Sequence, residues 1–160
     1  MASLPLPDLN PAERPHLAAA HAILARFRSG EPVDRTVLTS IFETVTGRSD
    51  AAGAWSMREA FDALELAQLL YLLDSDCPLL RGTSADVLSA LEAFVGRLPV
   101  QSYRSEEQVS RQQFSTPLPL AYLAGLAARP CAGELMLEPS AGNGLLAWPA
   151  ARAGARDRSR

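Results

Sequence analysis

The sequence predicts a mainly α protein: a helical bundle over residues 1–99, then the first helix and first strand of an incomplete α/β unit. Two observations carry this. Four stretches of the first part repeat apolar residues at helical spacing, with capping residues before them and glycine or proline after them. Further on, a short apolar run, Leu135-Met136-Leu137, enters a glycine turn and leaves it through a second apolar run. With 48% hydrophobic and 21% charged residues, the chain has enough apolar surface to fold.

Residues 1–9 are proline-rich and read as a lead-in. The first helix is expected to start at Asn10 as N-cap, with Pro11 at the first helical position and Glu13 completing a capping pair. Leu17, Ala20, Leu24 and Phe27 form its stripe, and Gly30 ends it. Asp34 caps a second helix carrying Val37, Leu38, Ile41, Phe42 and Val45, closed by Gly47. The link Arg48–Trp55 leads to Ser56, which forms a capping box with Glu59. That third helix carries Met57, Phe61, Leu64, Leu69 and Leu72 and ends near Leu73. Thr83 and Asp86 flank the start of a fourth, with Val87, Leu88, Leu91, Phe94, Val95 and Leu98, stopped by Pro99. Such stripes are ordinary core positions.

Residues 100–113 are polar and read as a linker, with Arg104, Glu106, Glu107 and Arg111 as solvated surface. Phe114-Ser115-Thr116-Pro117 then precedes a helical pattern through Leu118, Leu120, Tyr122, Leu123 and Leu126, ended by Arg129-Pro130. Residues 114–148 thus read helix, strand, glycine turn, helix start, with Leu145-Leu146-Ala147 opening the last helix. Residues 149–160 read as an unstructured, arginine-rich tail, in which Pro149 kinks or stops the helix.

Several functions are disfavoured by composition. All 15 basic residues are arginine, yet the net charge is −3, which argues against strong nonspecific nucleic-acid binding by phosphate neutralisation. With no lysine there is no P-loop, so NTP hydrolysis of that kind is excluded for these residues. His16 and His21 lie about 140° apart around a helix and do not share a face for a metal. Cys77 and Cys131 belong to no paired motif and read as reduced structural thiols. No apolar run reaches the ~18 residues of a membrane span, and the chain reads as cytoplasmic, with no membrane partner.

The chemistry concentrates in Glu138-Pro139-Ser140-Ala141-Gly142-Asn143-Gly144. A strand, a glycine turn and a helix start present backbone N–H groups to a ligand. Gly142 and Gly144 let a backbone come close where a Cβ would intrude. Taken alone this is weak, because GxG turns serve any tight bend. With Ala147 the same residues also fit the dinucleotide fingerprint G-x-G-x-x-A.

FSTP at 114–117, one helix, and then LEPSAGNG at 137–144 resembles motif X followed by motif I of the amino-group DNA methyltransferases, in the order of the gamma class of N6-adenine enzymes. The stretches ETVTGRSDAAGAWSMREAFDALELAQLLYL and RSEEQVSRQQFSTP are similar to the N-terminal region of bacterial strawberry notch-like methylase/helicase proteins. The resemblance spans roughly residues 11–147. It implies an incomplete Rossmann-like methyltransferase domain that binds S-adenosylmethionine and, in the family, acts on DNA. It implies a cofactor site of Phe114, Ser115, Thr116 and Pro117 with Glu138, Pro139, Ser140, Ala141, Gly142, Asn143 and Gly144. Glu138 would meet the methionine ammonium or the loop N–H groups, Thr116 would offer a hydroxyl, and Pro117 would sit in the first turn of the next helix.

The family's Asp/Asn-Pro-Pro-aromatic motif, which holds the flipped adenine, is absent, so no catalytic residue is assigned. No acid for the ribose hydroxyls is evident either. A βαβ unit takes roughly 30 residues or more, so a parallel sheet is not expected between Leu137 and Arg160, as in a truncated or frameshifted gene. The expected function is therefore a cofactor-side methyltransferase fragment, inactive alone. The alternative is a helical module for a protein partner or self-association, marked by the capped amphipathic helices and the acidic charge.

Overall fold

The computed structural model describes residues 14–100, 115–139, 142–154 and 156–157. Among them the chain is mainly helical: α1 (Pro15–Ser29), α2 (Arg35–Thr46), α3 (Met57–Leu73), α4 (Ser84–Val95), α5 (Leu118–Ala128) and α6 (Trp148–Arg152). Two short strands complete it, β1 (Leu135–Met136) and β2 (Arg156–Asp157).

The caps of α2, α3 and α4 form as the sequence indicates. The Asp34 carboxylate accepts from the Val37 N–H at 2.8 Å. Ser56 with Glu59, and Thr83 with Asp86, close reciprocal capping boxes. Gly30 and Gly47 end their helices at φ 71° and 67°, a conformation that costs glycine nothing. Helix α1 begins at Pro15, and Arg14 stands before it outside helical geometry at φ −140°. The reason is local, since a proline inside a helix has no N–H to donate and its ring strikes the preceding turn. Asn10, Pro11 and Glu13 lie outside the described residues, as does the segment 101–114.

Helix α3 is the axis of the molecule, with Ala60, Ala63, Leu64, Ala67 and Leu72 buried along it. It packs most closely on α1, and α2 packs on both. Small residues at the crossing, Ala19, Ala20, Ala60 and Ala67, all with no exposure, let α1 and α3 approach closely. The rings of Phe27 (α1), Tyr71 (α3) and Phe94 (α4) form a triangle with centroids 5.0–5.8 Å apart, which ties α4 to the pair. Phe42 packs on Trp55 at 5.1 Å, and the Trp55 indole donates to Arg48 O, so the link after α2 is anchored in the core. Cys77 is also core, whereas Cys131 is exposed and does not serve the structural role expected of it.

The second part of the chain continues this core. Leu118, Ala121, Leu145 and Trp148 belong to the same buried cluster as the bundle, with α5 on α4 and α6 on both α5 and α3. Three expectations change here. Leu145-Leu146-Ala147 form turns rather than a helix, and α6 begins at Trp148 with Pro149 in its first turn. Pro149 therefore opens the helix instead of stopping it, because a first-turn N–H has no intrahelical partner to lose. Residues 149–152 and 156–157 are helix and strand where an unstructured tail was expected. Strand β2 pairs with β1 in parallel, Leu135 beside Arg156 and Met136 beside Asp157. The stretch between Met136 and Arg156 exceeds the roughly dozen residues a parallel crossover needs, and with strands of only two residues the pair closes in less chain than a full βαβ unit. No helix among the described residues is long and apolar enough to cross a membrane.

Candidate functional site

The site is built where β1, the glycine turn, α6 and α5 converge. Gly142 and Gly144 take φ 51° and 87°, left-handed values that let the chain reverse after Glu138 and run back along α3. A cavity of about 140 Å³ opens at the carboxyl end of β1. It is lined by Met136, Leu137 and Glu138, by Gly125 and Ala128 of α5, and by Ala147 and Pro149 around the start of α6. Ligands of open α/β folds are held at this end of a strand. Glu138, half-buried, is the only ionisable lining residue of this cavity.

The expected site residues do not all meet there. Of the glycine-turn residues that are described, only Glu138 lines the cavity. Asn143 faces α3, its Nδ2 donating to Glu65 Oε2 at 2.6 Å. A Cβ added to Gly144 would lie 3.3 Å from Leu69 Cδ2, also on α3. Pro139 is exposed. Ser115, Thr116 and Pro117 lead directly into α5 and are absent from the cavity wall. Pro117 stands at the N-cap rather than inside the first turn, the place taken by Pro119. Phe114, Ser140 and Ala141 lie outside the described residues.

The fit to S-adenosylmethionine is partial. The cavity is smaller than the roughly 300–1,000 Å³ of pockets that enclose a drug-sized ligand. Its other walls are Ala, Gly, Leu, Met and Pro, which supply no side-chain partner for a carboxylate, a ribose or an adenine. The described lining thus offers one carboxylate, that of Glu138, among apolar walls, and does not match the whole cofactor.

A second cavity, about 460 Å³, lies between α4, α5 and α6. Tyr122 and Trp148 stack there at 6.2 Å and 8° between planes, with Arg129 and Arg152 on the wall. Arg152 is committed to the fold: its Nη1 donates to Leu72 O and Asp74 O at 2.9 and 2.8 Å, closing the C-terminal end of α3. A cation there also complements the helix dipole. Arg28 closes the same corner through Asp74 at 2.7 Å. The Arg28 bond and the Asp76 N–H hold the Asp74 carboxyl below its usual range. Burial pushes the Cys77 thiol and the Tyr71 hydroxyl up.

Sequence reasoning missed Glu65, Leu69 and Arg152 as parts of this site. Leu69 reads as a stripe position of α3 and Arg152 as one of several tail arginines, and Glu65 carries no signal of its own. Nothing local marks Glu65 as the partner of Asn143, 78 residues away, or Arg152 as the partner of Leu72, 80 residues away. Compared with models of known protein families, with curated proteins and with solved structures, the chain matches none.

Proposed function

We propose that these residues form the cofactor-side segment of an S-adenosylmethionine-dependent DNA (adenine-N6) methyltransferase domain, with no methyl transfer of their own. The observation that carries the reading is the order β1, left-handed glycine turn, α6, β2, with the two strands parallel and a cavity at the carboxyl end of β1. FSTP one helix upstream supports the same reading, because it occupies the sequence position of motif X relative to motif I. The polypeptide's own contributions are the Glu138 carboxylate beside the cavity and a backbone turn held open by glycines. Transfer needs the adenine amino group in line with the sulfonium methyl, and the base-holding motif is not among these residues.

The test joins a titration with S-adenosylhomocysteine, followed by amide NMR, to a labelled-methyl assay on adenine-containing DNA. The expected result is weak binding, with a Kd of roughly 1 mM, shifts confined to Met136–Glu138 and residues 142–147, and no label in DNA. Absence of any shift at saturating ligand overturns the cofactor-side assignment. Label in DNA overturns the statement that the chain is silent.

A second reading, a surface for a protein partner or a second copy, is favoured by one observation. Leu120 on α5 and Leu135 and Leu137 around β1 are 56%, 61% and 66% exposed. Exposed leucines mark a contact surface where they form one contiguous patch. Light scattering tests it: a strict monomer at high concentration that captures no protein in a pull-down argues against this reading.

A further inference from the structure

We propose that Glu65 of α3 is a positioning residue for the glycine turn, holding it through the side chain of Asn143. The helical bundle, rather than the turn's own residues, then sets the backbone that leads into the cavity wall. What the turn is for rests on the cofactor-side reading above; the latch itself rests on contacts.

Glu65, Leu69 and Leu72 follow one another at spacings of four and three and share a face of α3. The segment from Asn143 to Arg152 is laid along that face. Asn143 Nδ2 donates to Glu65 Oε2, Gly144 abuts Leu69, and Arg152 donates to Leu72 O. Between these points Leu145 and Trp148 are buried, and Leu146 and Ala147 line the cavity. Asn143 lies between two residues at positive φ, Gly142 and Gly144, where the backbone has the least conformational preference of its own. Beside the backbone bond from the Ala147 N–H to Gly144 O at 3.1 Å, the Asn143 side chain adds a tether from this stretch to α3. The acceptor is a carboxylate, so the bond is charge-assisted and stronger than one between neutral groups. Close approach at Gly144, which a cofactor turn would use for its ligand, is spent here on α3.

The experiment is hydrogen exchange at single-residue resolution on the full chain and on E65A, N143A and E65A/N143A. Exchange at residues 142–147 is expected to rise about five-fold in each single variant, the weight of one hydrogen bond, and no further in the double variant. Amides of α1 and α2 should be unchanged, and E65Q, which keeps an acceptor oxygen, should restore most of the protection. Unchanged exchange in E65A, an additive double variant, or a rise that spreads through α1 and α2 overturns the latch. S-adenosylhomocysteine, followed by NMR shifts at Glu138 and Leu146, separates the two claims. If the wild-type chain shows no shifts while E65A loosens the turn, the latch stands and the cofactor-side reading falls. If wild type and E65A show the same shifts with the same affinity, the positioning role falls and the cofactor-side reading stands.

Discussion

Gly125→Ala sets two known effects against each other inside α5. Glycine in a helix interior is less favourable than alanine by about 1 kcal/mol, so in an isolated helix the substitution stabilises. Here a Cβ at 125 would be driven into the ring of Pro149, the residue that opens α6. That ring is rigid and cannot swing aside as a long side chain would, so α6 or α5 must move. Overpacking of this kind costs about 1–3 kcal/mol, and the propensity gain offsets only part of it. The net expectation is a loss of up to about 2 kcal/mol, or a fall in Tm of up to about 8 °C for a chain of this length. Urea denaturation measures the loss, and near-UV circular dichroism reports the Tyr122–Trp148 stack at the same crossing. In a Pro149→Gly background, which removes the atoms the Cβ would meet, the cost should shrink or reverse sign. A Gly125→Ala variant more stable than the wild type, or a cost unchanged in that background, refutes the reasoning.

Other outcomes follow from the same geometry. Arg152→Ala removes the donors to Leu72 O and Asp74 O and a cation from the end of α3. It should cost about 1–2 kcal/mol in chemical denaturation, partly recovered in Arg152→Lys. Arg129 ends α5 at φ 48°, a left-handed value that a side chain disfavours. Arg129→Gly should therefore raise stability by up to about 1 kcal/mol despite the looser unfolded chain, measured by the same denaturation. The Asp74 carboxyl is held low by Arg28 and the Asp76 N–H, and that of Asp86 by the Thr83 hydroxyl and N–H. Lowered folded values mean stability fully present above the ordinary carboxylate value of 3.8 and lost as pH falls through the folded values. Asp74→Asn/Asp86→Asn should flatten that acid limb, and an unchanged limb would contradict the assignment. Cys131 is exposed and Cys77 buried, so a thiol reagent should label Cys131 at once and Cys77 only on unfolding.

The strand and the glycine turn of the last segment were legible, but the second strand and the start of the last helix were not. Leu135-Met136 as a strand and the glycine turn after it could be read from the apolar run and the two glycines. Strand β2 could not be read, since two residues, Arg156 and Asp157, carry no period, and what pairs them is the return of α6. Pro149 shows the ambiguity most clearly. The same ring stops a helix that began at Leu145 or opens one that begins at Trp148, and only the packing of Leu145 into the core decides which. Glu138 follows the strand by chain order alone, and the structure sets it on the wall of the cavity. Asn143 and Gly144 were read toward a ligand, yet they turn toward α3, whose approach no local pattern announces.

By itself the sequence determined the helices of the bundle and most of their ends. Asp34, Ser56 with Glu59, and Thr83 with Asp86 satisfy backbone groups within three residues of themselves, and Gly30 and Gly47 close turns just as local. Interactions of that range depend on residue type and spacing, which a sequence displays directly. The tertiary structure alone decided where the glycine turn lies, what Asn143 holds, which end of α3 Arg152 closes, and why position 125 is glycine. Those contacts join residues 24 to 80 positions apart, across the interface where Leu145 and Trp148 are buried, and no local pattern displays them.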